Sequence, residues 1–401
     1  MSFENPQQII RSWALQGSFA SGTVVQDKLV PKRFTRIRTP FVNTWREEAV
    51  NTNLDWGVQA FSFYLPESLR VISSMFLQIP LSALGGGAYK KIPGLYAVQR
   101  IRFLSAGQES YSCEVGQYLR DYIESLTTEE ADRFCSTYLG YTSDAGTAAA
   151  RNLIIPILLP NSAYQFRNGR DVRGHGIWPC YTGSNRLEIQ ITLAAANAVS
   201  KDASHSPASI SGDCQMLVHQ VDMTSEDVLR YSDVRGAYSV ITRRFTEITN
   251  GYTAATANVL TRLTQNQPIG CVTELFVIAS ATGTAEAQRE YDQNVQCTHL
   301  AIVSDSVTQK SLNTPEKVQM ELWSNGFVGN AFANSPSRLC FASHAAEAEN
   351  MTLYSGGFNM QLSSQIAIEV EFGEDVDFRI FAIQLQRVTV NSLGLIQASL
   401  D

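Results

Sequence analysis

The chain has 401 residues, only 17% of them charged against a typical ~25%, and a net charge of −7; it is longer than one hydrophobic core usually fills, so two domains are expected. Seven cysteines (113, 135, 180, 214, 271, 297, 340) include no CxxC pair, which argues against a disulfide scaffold and predicts small core thiols in a protein made in a reducing compartment. No apolar run reaches the ~20 residues of a membrane helix and no apolar leader opens the chain, so neither a spanning helix nor a secretory signal is expected.

In chain order, Asn5 and Pro6 followed by Ile9, Ile10 and Trp13, with Gly17 as a stop, predict a short capped helix. Residues 1–46 hold seven basic and two acidic residues, a local excess of positive charge in an acidic protein. Lys28, Lys32, Arg33, Arg36 and Arg38 belong to a basic run without a carboxylate. The run reads either as a solvated leader or as an arm that meets nucleic acid or anionic lipid head groups. No aromatic stacking platform accompanies it, so sequence-specific nucleic-acid binding is not expected.

Residues 61–65 and 71–79 predict two strands around Pro66-Glu67-Ser68, and Gly85-Gly86-Gly87 predicts a turn. Strands are also expected at 94–104, 153–159 and 186–193. Between them, residues 113–140 read as a helical insertion: Thr127 and Glu130 form a capping-box pattern, Ala131, Phe134 and Tyr138 recur at helical spacing, and Gly140 is a stop. The polar stretch 200–213 is a surface loop or part of the passage between domains. Beyond it, strands are expected at 216–221, 238–248, 271–279, 299–303, 318–322, 338–342, 365–372 and 378–390, with one helical turn at 224–229.

One pattern occurs twice. Ile366, Ile368, Val370 and Phe372 alternate with Ala367, Glu369 and Glu371 behind a Gly-rich turn; upstream, Leu187, Ile189, Ile191 and Leu193 alternate with Glu188, Gln190 and Thr192 behind Tyr181-Thr182-Gly183. The offset is 179 residues, a little under half the chain. One β-domain used twice, with many strands and little helix, predicts two antiparallel sandwiches in tandem and points to assembly rather than catalysis.

The residues carry no constellation for chemistry. Five histidines (175, 205, 219, 299, 344) form no HxH, HExxH or His-Cys cluster. There is no GxSxG elbow, and the turn at Gly85 lacks GxxxxGK(S/T) and a following helix. Glu47-Glu48, Glu129-Glu130 and Glu374-Asp375 are adjacent pairs that face opposite ways in a strand. Trp178, Tyr181 and Tyr252 near loop-like sequence leave sugar binding as a reading, but as core or subunit contacts they need no ligand. No metal, cofactor or catalytic residue is expected.

Four stretches resemble the double jelly-roll major capsid proteins of tailless icosahedral double-stranded DNA viruses, the group of nucleocytoplasmic large DNA viruses, virophages and polinton-like elements. They are RIRFLSAGQ from Arg100 to Gln108, RNLIIPILLP from Arg151 to Pro160, QNQPIGCVTELFVIAS from Gln265 to Ser280, and the turn Tyr354-Ser355-Gly356-Gly357-Phe358-Asn359-Met360 before the last strands. The likeness runs from about residue 30 onward. The chain is short for the group, and Tyr354 stands where many relatives have Pro. The resemblance implies an all-β fold of two eight-stranded jelly rolls with short helical insertions: an arm at 1–29, a first roll at 30–212 and a second at 213–401. It further implies no enzyme activity and a homotrimer forming a pseudo-hexagonal capsomer of the virion shell. Implied partners are the neighbouring capsomers, penton and minor capsid proteins, and an inner membrane where one is present, with the basic arm facing inward. The alternative is a trimeric jelly-roll binding protein, such as a spike or lectin-like module.

Overall fold

The computed structural model describes residues 42–49, 54–57, 60–64, 70–105, 107–126, 128–141, 148–157, 178–179, 187–202, 204–210, 213–222, 238–265, 270–283, 294–324, 336–341, 357–390 and 396–400. In the first half, β1 (Val42–Ala49), β9 (Gln215–Asp222), β3 (Arg70–Leu81) and β6 (Arg151–Ile157) form one antiparallel sheet in that order, and the two-residue β7 (Trp178–Pro179) also pairs with β3. The facing sheet runs β2 (Phe61–Tyr64), β8 (Leu187–Leu193), β4 (Val98–Ser105), β5 (Gln108–Glu114).

The second half repeats this plan. One sheet runs β10 (Tyr238–Glu247), β19 (Val376–Val390), β13 (Cys271–Ala281), β16 (Ser337–Cys340); β11 (Thr253–Ala255) and β20 (Ile396–Leu400) pair with β19, and β17 (Phe358–Asn359) with β13. The facing sheet runs β12 (Thr261–Gln265), β18 (Ile366–Phe372), β14 (Cys297–Ser304), β15 (Val307–Leu312). Counting the eight principal strands of each half in chain order, both halves give the orders 1-8-3-6 and 2-7-4-5. This is the jelly-roll connection, and the structure contains it twice. The two alternating segments that suggest duplication in the sequence, β8 and β18, are strand seven of their halves.

Alternation puts one row of each strand inside. Met75, Leu77 and Ile79 of β3, Leu153 and Ile155 of β6, Ile101 and Phe103 of β4, Ile189 and Ile191 of β8 fill the first core. Val277 and Ala279 of β13, Ile366, Ile368, Val370 and Phe372 of β18, and Phe378 and Ile380 of β19 fill the second. Each of these side chains larger than alanine contributes about 1.5–3 kcal/mol by leaving water. Glu369 and Glu371 stay half-buried on the other face of β18, as the alternation predicts, whereas Ala367 is buried there as well.

Five cysteines, at 113, 135, 214, 297 and 340, are buried as free thiols. Burial pushes the thiols of Cys113, Cys214 and Cys297 up to about 12.

The helices correct several expectations. Gly94–Ala97 is a helical turn, α1, not the start of a strand. An added Cβ at Gly94 would lie 2.8 Å from Leu139 Cα, so the glycine lets this turn touch the backbone at Leu139. The expected insertion at 113–140 is two helices, α2 (Val115–Ser125) and α3 (Thr128–Tyr138), with Gly140 in the left-handed conformation (φ 70°) after the second. Residues 318–322, expected as a strand, lie in a helix, α4 (Pro315–Ser324). Thr314 caps it by accepting a hydrogen bond from the Lys317 amide (3.3 Å), Pro315 opens the first turn, and Val318 and Leu322 meet the core at i and i+4.

The expected boundary at 212/213 also shifts. Strand β9, at 215–222, lies between β1 and β3, so it closes the first sandwich and the passage to the second falls between Asp222 and Tyr238. The N-terminal helix and the turn at 224–229 lie outside the described residues. Strands β1, β5, β7, β11, β12, β15, β17 and β20 are additional to those expected.

Candidate functional site

Strand β13 is buried on both faces. Its inner row belongs to the second core, while Glu274, Phe276 and Ile278 point the other way, Phe276 and Ile278 within a separate buried cluster. Phe381 and Ile383 of β19 extend this outer row, and Phe245 of β10 packs against both it and the first core. The two sandwiches therefore share an apolar seam.

At one end of the seam stands Arg338 of β16, opposite Phe276 in the sheet register. Its guanidinium is fully buried and lies 4.4 Å from the centre of the Phe276 ring. Nη1 donates to Asp121 Oδ1 (2.7 Å) and Glu274 Oε2 (2.9 Å), and Nε and Nη2 both donate to Glu124 Oε2 (3.0 and 2.5 Å). Asp121 and Glu124 are spaced i and i+3 on α2, so one helix face of the first sandwich presents both carboxylates. Burial by itself would lower the guanidinium's pKa; the charges of Glu124 and Asp121 more than reverse this and raise it.

A second ionic group lies farther along. Arg379 of β19 forms a two-bond fork with Glu247 (2.7 and 2.6 Å) and reaches Glu114 of β5 across the seam at 3.4 Å. Its guanidinium lies 4.9 Å from the Phe381 ring and 5.5 Å from the Tyr252 ring. Desolvation raises the Glu114 carboxyl above its ordinary value against the opposing pull of Arg379.

The seam joins unlike surfaces. The first sandwich contributes α2 and the end of β5, which follow and form its fifth strand; the second contributes the outer face of its 1-8-3-6 sheet. On the second sandwich, α4 occupies the place that α2 and α3 occupy on the first, between strands five and six. Its Lys310 neighbour on β15 bridges Glu321 (2.5 Å) and the Cys340 carbonyl (2.5 Å), which fixes α4 to β15 and β16. Beyond that anchor, Met320 and Trp323 are 66% and 70% exposed.

Of the residues singled out in the sequence, Lys28, Lys32, Arg33, Arg36, Arg38, Tyr354, Ser355 and Gly356 lie outside the described residues. Gly357 and Asn359 are placed beside β13, where Asn359 pairs with Cys271 and Phe358 with Val272. A Cβ on Gly357 would lie 2.5 Å from Cys271 Sγ, so this end of the motif turn needs glycine for close approach. The Gly85-Gly86-Gly87 turn seats the His205 ring: a Cβ on Gly86 would lie 2.7 Å from its Cε1. Among the described residues, no three His, Cys, Asp or Glu side chains converge to hold a metal ion, and no helix is long and apolar enough to cross a membrane. The seam was missed by sequence reasoning, although the unalternating run at 271–281 is a signal for a strand covered on both faces.

No protein-family model matches the chain, and no curated protein matches it in sequence. Solved structures do match in fold. PBCV-1 VP54 superposes with a TM-score of 0.64 at 12% identity, over 91% of this chain and 98% of VP54. The Faustovirus major capsid protein gives 0.59 at 9% identity, over 95% of this chain and 96% of its own. The mavirus major capsid protein gives 0.55 at 11% identity, over 91% of each chain. The chain has the double jelly-roll fold of these proteins.

Proposed function

We propose that the chain is the major capsid protein of a tailless icosahedral double-stranded DNA virus, a structural protein whose homotrimer forms a pseudo-hexagonal tile of the shell. The observation that carries this reading is the duplicated sandwich, whose fold superposes over nearly the whole length of capsid-protein structures. A contact between unlike surfaces is heterologous, and repeating it about one axis closes a ring when the rotation allows. Three copies of the chain supply six sandwiches to such a ring. A six-sided plate tiles a flat facet with its own copies, and penton and minor capsid proteins complete the corners and seams between facets. The basic segment carrying Lys28, Lys32, Arg33, Arg36 and Arg38 faces the interior and meets minor proteins or an inner membrane's anionic head groups.

Sedimentation of the purified protein, with negative-stain electron microscopy of the same fractions, tests the reading. Particles of about 130 kDa, three times 44.3 kDa, with a hexagonal outline, or closed shells, are expected. A monomer at every concentration sinks the reading. A trimer that forms no lattice under any assembly condition transfers it to a soluble jelly-roll binding protein.

A further inference from the structure

The seam inside the chain uses one helix and one sheet face, and duplication supplies a second copy of each. In the second sandwich the outer row across strands eight, three and six is Phe381, Phe276, Arg338, and α2 of the first sandwich meets it at Arg338. In the first sandwich the row on the same three strands is Leu217, Phe76, Pro156. These side chains alternate with the core residues Met75, Leu77, Ile155, Met216 and Val218, so they face outward, and all three are half-buried. Tyr138 stacks on Phe76 at 5.7 Å and enlarges the apolar area, as does Ile154 beside it. The matching helix of the second sandwich is α4, whose exposed large apolar side chains are Met320 and Trp323, at i and i+3.

Resting on the capsomer reading above, we infer that Met320 and Trp323 of one copy pack on the Leu217, Phe76, Pro156 row of the next copy. The occupant is a second copy of this chain because the pairing repeats, with the same strands and the same inter-strand helix, the contact already made within the chain. The chemistry differs in a useful way. Inside the chain, the sheet offers Arg338 and the helix offers Asp121 and Glu124; between chains, the helix offers Met320 and Trp323, flanked by the exposed Glu316, Lys317 and Gln319, and the sheet offers an uncharged row. Crossing the two would bury the α2 carboxylates on hydrocarbon and leave Arg338 against Trp323 with Glu274 of its own sheet but without Asp121 and Glu124, which is costly for both. The two kinds of seam therefore alternate around the ring, and neither substitutes for the other.

The test uses the full chain. Met320→Glu with Trp323→Glu changes two exposed positions, so the double variant is expected to keep the wild-type circular dichroism spectrum, and hence its fold, while its association weakens about a hundredfold or more, read by sedimentation. A wild-type trimer beside an equally stable trimer of the variant overturns the inference and leaves the capsomer reading standing; a wild-type monomer sinks that reading itself. The receiving face is tested separately by Trp323→Cys combined with Ile154→Cys or with Pro156→Cys in one chain. Mild oxidation is expected to yield covalent dimers and trimers that neither single variant gives. A trimer that forms no such link with either partner places Trp323 on another surface and overturns the assignment.

Discussion

Arg338 is the residue on which the two halves turn. It sits on the second sandwich, yet two of its three carboxylates, Asp121 and Glu124, belong to the first. A fully buried guanidinium holds its charge only because all its neighbours are placed in advance. Arg338→Met would leave Asp121, Glu124 and Glu274 without it, and we expect a loss of about 3–5 kcal/mol, seen as a lower denaturant midpoint. Arg338→Lys is expected to recover little, because an ammonium cannot fork to Glu124 and Asp121 together. None of this was legible in the sequence: the partners lie 217 and 214 residues upstream, and the segment around Arg338 reads as an ordinary short strand.

At the scale of elements, the strands with strict alternation were readable, because a sheet with one covered face imposes a two-residue period. Helix α4 was not, since the segment from Val318 to Leu322 alternates by accident and has two apolar ends that suit a helix equally, at i and i+4. Thr314-Pro315 was the local signal against a strand, and the insertion at the same place in the first half was the distant one. Packing also overrides propensity in α2, where Gly116 permits close approach: a Cβ there would lie 2.7 Å from the Leu95 carbonyl oxygen. Alanine gains up to ~1 kcal/mol in helix propensity over glycine, but displacing the backbone of α1 costs about 1–3 kcal/mol. Gly116→Ala is therefore expected to lower the melting temperature, and a rise would show that α1 yields easily.

For the whole molecule, the duplication is legible in the alternation of β8 and β18, and with it the all-β fold class. The dividing line was misplaced because the polar loop at 200–213 resembles a linker, while strand β9 beyond it returns to the first sandwich. Tile and shell separate at this scale. On the proposed capsomer reading, deleting residues 1–30 is expected to spare the trimer and impair shell formation, read by sedimentation and by particle counts in the microscope; loss of the trimer itself would assign the segment to the ring.

The buried thiols have a consequence of their own. A sulfur pushed up to about 12 by burial is almost wholly protonated at neutral pH, and the protonated form neither attacks a disulfide nor oxidises readily. At Cys113, Cys214 and Cys297 the protein has no covalent chemistry to lose or gain in air, so material aged for weeks without reductant should keep these side chains intact and its mass unchanged at these sites.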